Sequence, residues 1–136
     1  MSNLAIRTAL QTRLEALLPA LDTVYENEPY TPKPDVAYQR ATVMPADPST
    51  PEMSRRLVIE MGLFHIMLCY PKDEGVGAIG LRIAALKAQF QRGLALVSGG
   101  VTVTIQGAPG VGQGRNSDTH FETPVRITYH ANIVNP

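Results

Sequence analysis

The spacing of apolar residues along the chain predicts two amphipathic helices. Over residues 3–18, apolar side chains recur mostly three or four positions apart and form one stripe, which comprises Ile6, Leu10, Leu14, Leu17 and Leu18. Pro19 follows directly and is expected to end this helix. A second stripe over residues 78–92 comprises Ile79, Ile83, Leu86 and Phe90, and Gly93 has the position of a C-terminal cap. Such helices gain most of their stability by docking the apolar stripe on another element.

Period-two alternation predicts about five strands, at residues 24–27, 38–44, 55–70, 101–105 and 120–133. Residues 94–97 also have strand character and precede a Ser-Gly-Gly turn. Pro124 cannot donate a hydrogen bond to a neighbouring strand, so we expect it at a sheet edge or a bulge. The pattern favours an α+β fold with one domain over residues 1–136. Its sheet is expected to be mainly antiparallel, or mixed, with both helices packed on one face.

The long strand at residues 55–70 is apolar on both faces, which is unusual for a sheet with one layer of helices. Alternate positions place one set of residues, from Leu57 to Cys69, on one face and a second set, from Val58 to Tyr70, on the other. Two helices can cover one face, so we expect the other to contact a second subunit. The residues assigned to that subunit interface are Phe64, Ile66, Leu68 and Tyr70.

The amino-acid composition limits which classes of partner the protein can bind. The 136 residues contain 12 Lys and Arg against 12 Asp and Glu, so the formal net charge is zero. This balance argues against a protein that binds duplex nucleic acid mainly through phosphates. Charged residues make up 18% of the chain, which weakens repulsion between copies and favours association. No secretory signal and no membrane-spanning segment is expected, and the single cysteine, Cys69, lies in an apolar run that predicts a buried thiol.

The residues that could carry chemistry do not form a recognisable catalytic, cofactor or metal site. The glycine-rich segment at residues 110–114 lacks the Lys-Ser or Lys-Thr and the following helix of a phosphate loop. His120 and His130 are ten residues apart, too far along one strand to share a metal ion. Glu26 and Glu28 beside two tyrosines could form an acid/base pair, which leaves a small-molecule enzyme as a remote alternative.

Three stretches together carry a family resemblance. The first is residues 25–32 (Tyr-Glu-Asn-Glu-Pro-Tyr-Thr-Pro) with Tyr-Gln-Arg at 38–40. The second is residues 62–71 (Gly-Leu-Phe-His-Ile-Met-Leu-Cys-Tyr-Pro) with Phe-Gln-Arg-Gly at 90–93. The third is Gly-Val-Thr-Val-Thr-Ile at 100–105 with Pro-Val-Arg-Ile-Thr-Tyr-His-Ala-Asn at 124–132. Over residues 4–133 the chain resembles small phage and prophage proteins similar to the lambda-type tail terminators of long-tailed phages with non-contractile tails.

The resemblance implies a structural virion protein without catalytic residues or cofactors, assembled in the bacterial cytoplasm and located in the tail. Such a subunit forms a ring, expected to be a hexamer, that caps the tail tube, stops its polymerisation and offers a surface to the head connector. DNA would pass through the lumen without sequence-specific binding. Contacts with tube or connector are expected at Arg55, Arg56, Arg115 and Met53, and the loops at 46–55 and 107–118 are expected to be ordered by such contacts. A head-side stopper or adaptor of the same particle is the alternative.

Overall fold

The part of the chain that the structure describes folds into two helices and one large sheet. The computed structural model describes residues 2–17, 21–26, 28–31, 36–46, 57–72, 77–117 and 120–134. Within those residues the elements, in chain order, are α1 (Ser2–Glu15), β1 (Asp22–Tyr25), β2 (Tyr38–Pro45), β3 (Leu57–Pro71), α2 (Gly77–Gln89), β4 (Ala95–Ser98), β5 (Val101–Ile105), β6 (Gly110–Val111), β7 (Arg115–Asn116) and β8 (His120–Val134). The expected α+β class is confirmed.

The sheet is larger than expected and it is mixed. Over the described residues eight strands form one sheet in the order β1-β2-β3-β8-β5-β4, and β6 and β7 also pair with β8. The β1–β2 pair is parallel, from Asp22↔Tyr38 to Tyr25↔Ala41, while the other pairs are antiparallel. The expectation of about five strands was therefore wrong. Strands of two residues, such as β6 and β7, are too short to produce an alternating pattern.

The centre of the sheet is the antiparallel pair β3–β8. The two strands have 15 residues each and pair from Leu57↔Val134 to Pro71↔His120. Pro124 lies within this interior strand and not at a sheet edge. Its carbonyl accepts a hydrogen bond from Gly112 N at 2.9 Å. In a strand, the nitrogen and the carbonyl of one residue point to the same side, so the Pro124 nitrogen also points toward residues 112–114. These residues lie between β6 and β7 and are not paired with β8 as a strand. The N–H that proline lacks is therefore not needed for strand pairing.

A two-residue turn joins β4 to β5. Ser98 pairs with Val101, and the residues between them, Gly99 and Gly100, have φ angles of 56° and 79°. Two successive positive φ angles define the hairpin turn whose twist matches that of antiparallel strands, and glycine adopts them without strain. The predicted Ser-Gly-Gly turn is confirmed.

Both helices pack on the same face of the sheet. Their apolar stripes share one core with the side chains of β2, β3, β5 and β8 that point toward them. Phe64, Ile66 and Leu68 belong to this core and are 0% exposed. These side chains were expected at a subunit interface. They are completely buried within one subunit, so they expose no surface that a second subunit could contact. Tyr70, the fourth residue of that prediction, is half-buried and packs against the same core.

One polar side chain interrupts the apolar stripe of α2. Arg82 is buried, and its Nη2 donates to Gln39 Oε1 at 3.3 Å. Gln39 Nε2 in turn donates to Thr23 Oγ1 at 2.8 Å. Burial lowers the pKa of Arg82. This hydrogen-bonded chain joins α2 to β2 and β1, and buried polar groups need such partners.

Candidate functional site

The face of the sheet that points away from the helices is the candidate site, and we call it the open face. Its central rows follow from strand register, since residues paired across strands point the same way. The three rows are Arg40–Met67–Pro124, Thr42–His65–Arg126 and Met44–Leu63–Thr128. These side chains are half-buried or exposed, in contrast to the fully buried residues between them. The sheet thus offers a broad surface that the helices do not cover.

The open face has two halves of different chemistry. The apolar half contains Met44, Leu63, Met61 and Ile59, and Met44 is 45% exposed. The arginine half contains Arg40, His65 and Arg126, and Arg115 on β7 joins it because that residue pairs with Glu122 of β8. Within the arginine half lies a shallow groove of about 420 Å³, lined by Arg40, Thr42, His65, Met67, Arg115 and Glu122.

Arg115 is the one predicted partner-contact residue that the described chain contains. Its side chain is 75% exposed, and its Nε lies 3.7 Å from Glu122 Oε1. Such an exposed pair contributes little to stability, so the guanidinium remains available to another partner. Arg55, Arg56 and Met53 lie outside the described residues. Arg40 and Arg126 were not singled out from the sequence, although their places on alternating strands were the signal that could have found them.

The glycine-rich segment pairs side by side with β8 and does not form a phosphate cradle. A side chain at Gly112 would meet Pro124 Cγ at 2.7 Å, and one at Gly114 would overlap the Phe121 ring. The Gly112 N–H, which a phosphate loop would direct at its ligand, donates instead to the Pro124 carbonyl. Glycine is needed here because the backbone approaches the β8 side chains closely.

The two nearby carboxylates of the remote enzyme hypothesis have structural partners. Glu26 forms an ion pair with Arg7 of α1 and accepts from Val43 N at 2.9 Å. Partial burial opposes the ionisation of Glu26, but the hydrogen bonds from Arg7 and Val43 outweigh it and lower the pKa of this carboxyl. Glu28 accepts from Tyr25 N at 2.9 Å. The depression beside them has a volume of about 180 Å³. The two carboxylates stabilise the packing of α1 and of the segment after β1 against the edge of the sheet.

The thiol and the histidines do not assemble into a reactive centre. Cys69 is 0% exposed, and burial raises the pKa of its thiol to about 11, so the thiolate is scarce at neutral pH. His120 is buried, and its Nε2 lies 2.8 Å from the Val36 carbonyl. Among the residues that the structure describes, no three His, Cys, Asp or Glu side chains are placed to hold a metal ion.

In the same part of the chain, no helix is long and apolar enough to cross a membrane.

A sheet face that the helices leave uncovered and that exposes large apolar side chains is typical of a surface that contacts other proteins. Residues 5–129 match the model of a family described as phage tail terminator protein. The chain belongs to this family, which confirms the resemblance found in the sequence. It is therefore a structural protein of a phage tail, from a family of structural, non-enzymatic proteins.

A solved structure supports the same fold. The name of the protein in that structure describes no activity, and its sequence is 27% identical to that of this chain. The similarity covers 100% of this chain and 99% of the other, with a TM-score of 0.79. A comparison with curated proteins finds no match.

Proposed function

We propose that this protein is the subunit of a ring, a hexamer as in the expectation above, that caps the tail tube of a phage with a non-contractile tail. The ring stops polymerisation of the tube and offers the surface to which the head is joined. The observation that carries the proposal is the open face of a chain that belongs to the tail terminator family. Val24, Tyr38 and Cys69 are buried at one end of this side, but the rows from Arg40 to Met44 remain partly exposed and can be buried in an assembly.

The apolar half of the open face is the proposed contact between subunits. Met44 and Leu63 are adjacent on β2 and β3, and Met44 is 45% exposed although it is a large apolar side chain. Burial of such side chains against a second copy is favourable in proportion to the apolar area removed from water. The low charge of the chain, with a formal net charge of zero, keeps repulsion between copies small.

The role is structural and not catalytic. Glu26 forms an ion pair with Arg7 and accepts a hydrogen bond from Val43 N. Glu28 accepts a hydrogen bond from Tyr25 N, and the Cys69 thiol is buried. An enzyme would instead hold its acid, base or nucleophile in a concave site with its polar atoms directed at a substrate.

Electron microscopy of particles made without the protein tests the capping role. Loss of a terminator should give tails of irregular length, because tube polymerisation no longer stops at a fixed point. Tails of normal length beside unjoined heads would overturn capping and support the alternative of a head-side stopper or adaptor.

Paired substitutions test the subunit contact. Met44→Glu with Leu63→Glu places charge in the apolar half and should abolish rescue of tail length by added protein. The matched control is Leu4→Glu with Leu81→Glu, since these residues are 65% and 77% exposed on the helices. The control should rescue tail length, and circular dichroism of both proteins should show an intact fold. Full rescue by the Met44 and Leu63 variant would rule out this contact.

A further inference from the structure

The arginine half of the open face holds three cations around one groove. Arg40 and Arg115 line the groove, and Arg126 pairs across the strands with His65 in its floor. From strand geometry, the Cα atoms of Arg40 and Arg126 lie about 12 Å apart, because they are two strands and two residues removed from one another. Among the described residues that line the groove, Glu122 is the one carboxylate.

Two of these arginines, Arg40 and Arg126, are held in place by neighbouring groups. The Arg40 guanidinium lies 5.6 Å from the centroid of the Tyr38 ring, and its Nη2 is 3.5 Å from Tyr38 Oη. The Arg126 guanidinium lies over two glycines of the glycine-rich segment, where a side chain at Gly110 or Gly112 would come within 3.4 Å of it. The glycines thus leave room for this side chain to lie along the sheet. Arginines held in place lose less entropy when they bind.

The groove carries more positive than negative charge. Glu122 is paired with Arg115 and its charge also acts on Arg40, but among the described residues neither Arg40 nor Arg126 forms an ion pair with a carboxylate. Two fixed guanidinium groups, each able to make paired hydrogen bonds with a carboxylate, therefore face outward from the sheet.

We propose that this groove binds an acidic segment of a neighbouring tail protein, with Arg40 and Arg126 each taking one carboxylate. The inference rests on the proposed function, because it is in a tail assembly that this face meets another protein. Carboxylates four residues apart in an extended segment are spaced about 13 Å, which matches the two arginines. A polypeptide fits better than DNA because Met67 and Thr42 provide a partly apolar floor and the whole chain has no net positive charge.

The test is a titration of the purified protein followed by NMR. The probe is a short extended peptide with two glutamates four residues apart, and its control is the same peptide with glutamine in their place. The glutamate peptide should shift the amide signals of Thr42, His65 and Met67, while the glutamine peptide should not. Because the attraction is electrostatic, the shifts should decrease with added salt. Absence of shifts at these residues overturns the proposal.

Charge-reversal variants test whether the peptide binds at the groove or at charged residues elsewhere on the surface. Arg40→Glu with Arg126→Glu should weaken peptide binding at least about tenfold, which corresponds to about 1.4 kcal/mol. Lys87→Glu with Arg92→Glu reverses two exposed charges on and after α2 and should leave binding unchanged. A short DNA duplex that shifts the groove signals as strongly as the peptide does would overturn the choice of an acidic protein.

Rescue of tail length distinguishes failure of this inference from failure of the proposed function. The Arg40 and Arg126 variant should not rescue tails made without the protein, whereas the Lys87 and Arg92 variant should. If the Arg40 and Arg126 variant rescues normally, the groove inference fails while the capping role stands. If loss of the wild-type protein leaves tail length unchanged, the capping role fails whatever the peptide titration shows.

Discussion

The two faces of the central sheet have similar apolar sequences and opposite environments. On β3, Phe64, Ile66 and Leu68 are completely buried beneath the helices, whereas Leu63, His65 and Met67 remain partly exposed on the open face. Strand alternation divides residues between faces, but hydrophobicity does not say which face the chain covers with its own helices. The uncovered apolar residues are therefore the ones that we propose to contact another subunit.

The largest test of this comparison removes one side chain from each face. Phe64→Ala should lower the free energy of unfolding by about 3–5 kcal/mol, because it leaves a cavity beside Phe90 in the core. Met44→Ala on the open face should cost about 1 kcal/mol or less in the isolated subunit, since its side chain is already 45% exposed. Urea unfolding of both variants provides the measurement. Equal losses would mean that the two faces do not differ as described.

A glycine on the helix-covered face provides the next test. A Cβ at Gly62 would lie 2.6 Å from the Met44 carbonyl oxygen and 2.7 Å from Tyr129 Oη, so Gly62→Ala should destabilise the protein by about 1–3 kcal/mol. At Gly80 in α2 nothing lies within 4 Å of the added Cβ, and Gly80→Ala should stabilise by up to about 1 kcal/mol. Thermal unfolding should therefore move in opposite directions for the two variants, and a shared direction would contradict the packing around Gly62.

The sheet edge gives a smaller and pH-dependent effect. Glu26→Gln removes the ion pair with Arg7, which is about one-third exposed, and should cost about 1 kcal/mol or less at neutral pH. Since the folded state lowers the pKa of Glu26, this contribution is present above the ordinary value of 4.5 and is lost as pH falls through the lowered pKa. A double-mutant cycle with Arg7→Met measures the coupling, and strictly additive losses would show that the pair contributes nothing.

The smallest effect comes from His65 on the open face. Burial and then the charge of Arg126 lower the pKa of this imidazole, so the unfolded chain binds its proton more readily than the folded one. Stability should therefore fall as pH drops below the ordinary value of 6.5 toward the lowered pKa. His65→Gln should flatten this part of the pH profile by a few tenths of a kcal/mol, as measured by urea unfolding. Identical profiles for the two proteins would contradict the lowered pKa of His65 in the folded protein.

Elements with long repeating patterns could be predicted from the sequence. The stripe of α1 is confirmed by the burial of Ile6, Leu10 and Leu14, and the alternation of β5 and β8 is confirmed by their register. The Gly99-Gly100 turn could also be predicted, because its conformation depends on the two residues themselves.

Features that depend on tertiary contacts could not be predicted. The parallel pairing of β1 requires a connection of about a dozen residues, and the sequence does not show which side of the sheet that connection follows. Arg82 is buried because Gln39 on a distant strand receives its hydrogen bond, whereas helical spacing treats an arginine as a surface residue. The candidate groove was missed for the same reason, since Arg40, Arg115 and Arg126 come from three separate strands.

The β3–β8 ladder has a mechanical consequence. Fifteen residues in each strand give a contour length of about 50 Å, whereas a compact chain of 136 residues has a radius of gyration of about 14 Å. Force applied along these strands is shared by many hydrogen bonds at once, while force that peels one end apart breaks them in succession. The subunit is therefore strongest along one axis, and a joint built from it would resist tension best with that axis parallel to the load.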